Sequence, residues 1–239
     1  MTTQAAAEPA DARGILMRMA EFLANTPRFS VTIQDRYDVV QASGEKIEFG
    51  AERKLTVSRP DRLRVELERS DGDRSLVLFD GQTITVLDPE QNVYAQAVKP
   101  SGIDDMIVFF VQDLKMRLPL ALMLVSRFPD EIKRRTQSLD YVEGTVVQGV
   151  PAHHLAGRTE TMDYQVWVAE GGQPWPLRVV LTYKNAEGQP QFRAQFSEWN
   201  PAPDIQDAMF AFTPPQGARK IAFLAQLPQI VARGAKPAQ

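Results

Sequence analysis

With 239 residues, 44 % apolar and 24 % charged, the chain has the make-up of a soluble globular protein with a large core, in one domain or two. A net charge of −3 argues against a nucleic-acid binder, whose basic face is concentrated. The clusters Lys133-Arg134-Arg135 and Arg62/Arg64 are short enough to be a solvated rim. Cysteine is absent, which excludes disulfides, a Cys-based metal site and a Cys nucleophile.

The opening, MTTQAAAEPADARG, lacks the charged-then-apolar layout of a signal peptide. It suits a flexible leader over residues 1–10, left after processing or trimmed for expression. Ile15, Leu16, Met19, Phe22 and Leu23 then fall on one helical stripe and predict a helix of about four turns from near Asp11 to Asn25. Asp11 is its N-cap and Pro27 its stop. The stripe is expected to pack on the strands that follow.

From Phe29 the apolar period is two, through Val31, Ile33, Tyr37 and Val39, and back after Ser43-Gly44 through Ile47, Phe49, Leu55 and Val57. Residues 59–96 then read as four short strands separated by Ser70–Asp73, Asp80-Gly81 and Asp88–Glu90, an antiparallel meander. Asp80-Gly81 suggests a type I′ turn, with positive φ at both central residues. Leu63, Val65 and Leu67 alternate with charges, giving one wet and one buried face. Leu76–Phe79 is apolar on both faces, and Ile84–Leu87 less completely, which predicts that these two strands are covered on both sides or are central.

A helical region follows from Ser101. Ile103, Met106, Ile107, Phe110 and Leu114 form a stripe, widened by Val108, Phe109 and Val111. Pro119 fits the first turn of a second helix, Leu118 to Ser126. Gln112, Asp113, Lys115 and Arg117 interrupt this stretch, so it does not read as a membrane span. These segments are more apolar than a helix lying on one sheet face requires; they either plug a core or line an apolar cavity. Strands resume over 139–147, 150–158, 163–170, 177–184 and 191–200, an even spacing that favours a meander over βαβ units. Met209–Phe212, flanked by prolines, reads as a last edge strand, and residues 228–239 as a frayed tail.

Chemistry-bearing motifs are missing. The two histidines, His153 and His154, would point to opposite faces of a strand and cannot share one ion. No Gly-x-Ser-x-Gly elbow or phosphate-binding Gly loop occurs. Asp104 and Asp105 suit a helix start, and Asp71, Asp73, Asp80 and Asp88 suit turns. Trp167, Trp175 and Trp199 are expected to pack, with Trp175 an alternative partner contact. The expectation is a protein without catalytic residues, metal or cofactor. An enzyme would need His154 to converge with a carboxylate and a serine in a pocket.

The serial phrases RPDRLRVE, LVLFDGQTITVLDPEQNVYA, VVQGVPAHHLAGRTETMDYQVWVAEGGQPWPLRVVLTYK and FAFTPPQGARKI resemble a bacterial family of predicted periplasmic proteins of unassigned function. The resemblance covers about residues 11–224. That family is similar in architecture to the lipoprotein carriers LolA and LolB and the lipid carrier LppX. It implies an α+β fold, mainly β: a curved antiparallel sheet of about eleven strands in an unclosed barrel, with the first helix and mid-chain helices across its concave face. One domain over 11–227, with a helical lid at 101–128, is expected.

The resemblance implies a non-catalytic periplasmic carrier that holds a lipid, acyl chain or acylated protein between sheet and helices. The alternative it leaves open is an envelope sensor or interaction module using the same groove for a peptide or partner domain. A monomer is favoured, with no nucleic acid and no transmembrane segment. The groove residues would be Leu63, Val65, Leu67, Leu76 and Leu78 of the meander, with Leu76/Leu78 preferred to Val77/Phe79. Met106, Ile107, Phe110, Leu122 and Val125 would come from the helices, and Val166, Val168, Val179 and Leu181 from the later strands. LolA holds its lid closed with an arginine. No residue here is matched to it, and Arg59-Pro60-Asp61 reads as a strand junction.

Overall fold

The expected first helix is α1, Ala12–Asn25, capped by Asp11, whose carboxylate accepts from Gly14 N–H. It belongs to a computed structural model that describes residues 11–99, 101–113 and 118–223. The leader, Leu114 and the tail from 224 onward lie outside those residues.

Twelve strands follow: β1 Arg28–Val40, β2 Lys46–Ser58, β3 Arg62–Arg69, β4 Arg74–Phe79, β5 Thr83–Asp88 and β6 Val93–Val98 before the helical block. After it come β7 Ser138–Val147, β8 Val150–Arg158, β9 Met162–Ala169, β10 Pro176–Tyr183, β11 Gln191–Asn200 and the two-residue β12 Arg219–Lys220. They form one unclosed sheet in the order β12-β6-β5-β4-β3-β2-β1-β11-β10-β9-β8-β7. The first and last long strands, β1 and β11, pair at its centre. Bulges in the β1/β11, β9/β10 and β7/β8 ladders each add local twist, which curves the sheet.

Turn chemistry follows the sequence with one exchange. Asp80 Oδ1 accepts from the Gln82 and Thr83 N–H groups, and only Gly81 in that loop takes a positive φ, +87°. The loop is therefore a side-chain-capped turn rather than type I′. The two consecutive positive φ values of a I′ turn occur instead at Gln148 and Gly149, 50° and 81°, which join β7 to β8.

The helical block differs from its reading. It consists of α2, Ile103–Val108, a π-helical turn at Phe109–Asp113, a 3₁₀ turn at Ala121–Leu124, and α3, Phe128–Arg135. The expected helix from Leu118 to Ser126 is only that 3₁₀ turn. The first-turn proline belongs to α3, at Pro129. Because β6 and β7 lie towards opposite edges of the sheet, this block crosses from one side to the other over the inner face.

Register decides which side chains look inward. In the β3/β4 ladder Leu63 lies opposite Phe79, Val65 opposite Val77 and Leu67 opposite Ser75. Directly paired residues share a face, so Val77 and Phe79 are the inward set. Leu76 and Leu78, preferred in the sequence reading, lie on the outer face. They are buried or half-buried there because the segment after β11 returns over that side. Arg64, the partner of Leu78, donates to the Met209 carbonyl at 3.1 Å, and Phe212 packs on Tyr94 at 5.0 Å between centroids. Residues 209–212 are thus an irregular cover and not the edge strand expected of them. The edge pairing is made by β12, parallel to β6.

The α1 stripe does not settle on the strands next to it in sequence. It lies chiefly over β7, β8 and β9 and against α3. The inner core joins Leu16, Met19 and Leu23 to Phe29, Val57, Phe79, Ile84, Met106 and Val166. Trp175 is buried too, edge-on to Phe22 at 4.6 Å and stacked on Trp199 at 4.3 Å, so it offers no exposed contact.

Candidate functional site: an apolar cavity under the helical block

The two halves of the inner face are filled differently. Ile103 N–H donates to Pro60 O at 2.8 Å and Ser101 N–H to Gly81 O at 3.2 Å, which sets the start of α2 beside β3 and β4. Ile103, Met106, Ile107 and Phe110 are buried in the inner core with Leu63, Phe79 and Ile84. Over β9 and β10 the helices stand off the sheet and leave a cavity of about 460 Å³. That volume lies within the range of ligand sites in proteins. Its floor is Met162, Tyr164 and Val166 of β9 with Val179 and Leu181 of β10. Leu16 and Met19 of α1, Leu120, Leu122 and Met123 of the 3₁₀ segment, and Phe128 and Ile132 of α3 line the rest of it. The surplus apolarity of residues 118–125 thus has a place: Leu120, Leu122 and Met123 are only half-buried, since part of their surface faces the cavity.

The rim is polar on one side. Arg134, Arg135 and Gln137 at the end of α3 meet Thr159, Glu160 and Thr161 of the β8–β9 turn. Gln137 N–H donates to the Arg158 carbonyl at 2.7 Å and holds these two segments together. Just inside, the Thr136 and Tyr164 hydroxyls share a buried hydrogen bond of 2.8 Å. Burial pushes the Tyr164 phenol up, against the opposing effect of the Thr136 bond, so the phenol stays neutral. The Tyr164 ring lies across Gly157 on the neighbouring strand, where an added Cβ would overlap it.

Of the groove residues read from sequence, Leu122, Val166, Val179 and Leu181 line this cavity. Met106, Ile107, Phe110, Val125, Val168 and Leu63 are buried in the surrounding core, with Val65 packed against it. Leu67 is buried on the same face, while Leu76 and Leu78 are on the other. The meander is therefore a wall of the packed half, and the hollow lies across β1, β2 and β11 from it. Sequence reasoning missed Leu16, Met19, Met123, Phe128, Ile132, Met162 and Tyr164. The α1 stripe could have indicated the first two, but α3 gave little signal.

Arg59 also proves to be more than a junction residue. Its Nε donates to Thr26 O at 3.2 Å, Nη2 to Leu23 O at 3.3 Å and Nη1 to Leu124 O at 2.6 Å. One guanidinium thereby ties the end of α1 to the end of the 3₁₀ turn. Burial lowers its pKa and the charge of Asp104 works against that. Asp104 does not cap α2. It accepts from Ser126 N–H at 3.0 Å and Ser126 Oγ at 2.5 Å, closing the same block from the other side.

The histidines face opposite ways, as alternation requires. His153 lies by Tyr141, whereas His154 stacks on Trp167 on the outer face at 4.1 Å and bonds Gln165 at 3.0 Å. His154 therefore does not look into the cavity. Among the described residues no cluster of three or more His, Asp or Glu could hold a metal, and no helix is long and apolar enough to cross a membrane.

An unclosed barrel with helices across its inner face and an apolar hollow beneath them defines the class of protein. Residues 12–224 match the family described as predicted periplasmic protein (DUF2092), and the chain belongs to that family. Comparison with curated protein sequences finds no match. Among solved structures the chain is similar to an uncharacterised conserved protein of Thermus thermophilus, at 12 % identity and TM-score 0.49, over 88 % of this chain and 98 % of that one. It is also similar to MucB, at 21 % and 0.47 over 87 % and 65 %, and to the lipoprotein LppX of Mycobacterium tuberculosis, at 14 % and 0.48 over 82 % and 100 %.

Proposed function

We propose that this protein is a periplasmic carrier that takes an acyl chain into the cavity between α1, the 3₁₀ segment, α3 and strands β9–β10. The observation that carries the reading is the cavity of about 460 Å³ whose inner lining is aliphatic and aromatic beneath a polar and charged rim. Moving an acyl chain from water into such a site is worth about 0.8 kcal/mol per methylene. Affinity then needs no precisely placed polar group, and release needs only that the helical cover move aside. The sheet half packed by α2 would serve as the rigid frame.

Leu122→Trp tests the reading from the cover side, since Leu122 is half-buried and lines the cavity, so that an indole there takes up part of the hollow. Native mass spectrometry of protein isolated from the periplasm should show co-purifying acyl lipid on the wild type and at least ten-fold less on the folded variant. Wild-type protein that never carries lipid, or that carries instead a stoichiometric protein partner, would overturn the proposal.

A further inference from the structure

The cavity sets limits on its ligand that the carrier reading alone does not. At about 460 Å³ it lies in the lower half of the range of small-molecule sites, a size that suits one chain better than two. The polar side of the rim adds a second limit, because the nearest cations to the opening are guanidinium groups. Arg134 Nη2 and Arg135 Nε both donate to Glu131 Oε2, at 2.6 and 2.7 Å. Each arginine thus spends one nitrogen of a five-donor fork on Glu131. Their side chains remain 66 % and 52 % exposed, so the other donors are open to solvent at the rim. Two guanidinium groups against one shared carboxylate leave a net positive edge. The opposing Glu160 stands on the β8–β9 side, where Asp163 is paired with both Lys184 Nζ at 3.3 Å and Arg158 Nε at 3.8 Å, so that side is close to neutral and the positive edge is the end of α3.

Resting on the carrier reading, we infer that the ligand is a single-chain amphiphile with an anionic head, a carboxylate or a phosphate monoester. Its chain fills the cavity and its head lies against Arg134 and Arg135. Guanidinium forks match both oxyanions in a paired-donor geometry, and Glu131 holds the forks in place before the ligand arrives. A zwitterionic lipid with two chains would leave one chain in water and present the wrong head charge.

Isothermal titration of the whole protein with palmitate, hexadecyl phosphate and methyl palmitate tests this, with a thermal melt of every variant as a control for folding. One palmitate per chain is expected, binding at least ten-fold more tightly than the methyl ester at low salt, with the gap narrowing as salt is raised. The paired substitution Arg134→Gln and Arg135→Gln should bring palmitate to the level of the ester and leave ester binding unchanged. The two anionic arms separate carboxylate from phosphate. Equal binding of palmitate and methyl palmitate, insensitive to the arginine variants, would overturn the head-group assignment while sparing the carrier reading. Two chains per protein would overturn the single-chain limit. Failure of all three ligands to bind the folded protein would overturn both.

Discussion

Arg59 shows how one side chain can organise elements far apart in sequence. Its three acceptors belong to the end of α1 and to the 3₁₀ turn, and each is a carbonyl left over where a helix ends. Arg59→Met leaves all three short of a donor in a half-buried place. The expected loss is on the order of 3 kcal/mol in urea unfolding. Arg59→Lys should recover less than half of it, since an ammonium cannot span carbonyls on two elements as a planar fork does. Unchanged stability in Arg59→Met would show that the contact is incidental. The sequence reading took Arg59 for a junction residue because its partners come from 33 to 65 positions away, beyond the reach of any local pattern.

At the scale of elements, α3 was hidden and the strands were plain. FPDEIKRR carries only Phe128 and Ile132 as large apolar residues, too few to show a helical period, and its charges read equally well as a solvated run. Those charges stabilise it. Asp130 and Glu131 lie in the first turn and Lys133, Arg134 and Arg135 in the last, which suits the helix dipole. The hydrogen bond from Arg135, then that from Arg134, holds the Glu131 carboxyl below its ordinary range in spite of partial burial. A folded-state pKa below the unfolded one means that the contribution is complete above the unfolded value, about 4.3. It is lost as pH falls through the folded value. Glu131→Gln should therefore be less stable than wild type at pH 6, with a smaller deficit at pH 3, by urea denaturation at both. A difference that persists undiminished at pH 3 would rule out the ionic origin.

For the molecule as a whole, the two sides of the inner face have different duties. In the central ladder β1 pairs with β2 without a break from Arg28 to Val40, whereas the cover over β9–β10 is, beside α1, made of short helical segments held by Arg59, Asp104 and the α3 rim. Hydrogen exchange should follow that division. Adding palmitate should slow exchange at residues 15–23 and 118–135, with little change in β1 and β2. Protection that rises instead over β3–β6 would place the ligand in the packed half.

By itself the sequence determined the antiparallel strands, their turns and the first helix, because these rest on local periodicity and on the φ demands of Gly, Asp and Asn. It also marked residues 103–125 as too apolar for a simple surface helix. Only the tertiary structure decided which side of each strand faces inward. That choice depends on register, set by the Ser70–Asp73 turn for Leu63 against Phe79, and on a returning segment that makes the outer face of β4 as apolar as the inner. Nor could periodicity tell which half of the sheet stays hollow. A stripe on α1 looks the same wherever it docks, and it was packing, with α1 over β7–β9 and α2 against β3–β5, that left the space beside β9 and β10.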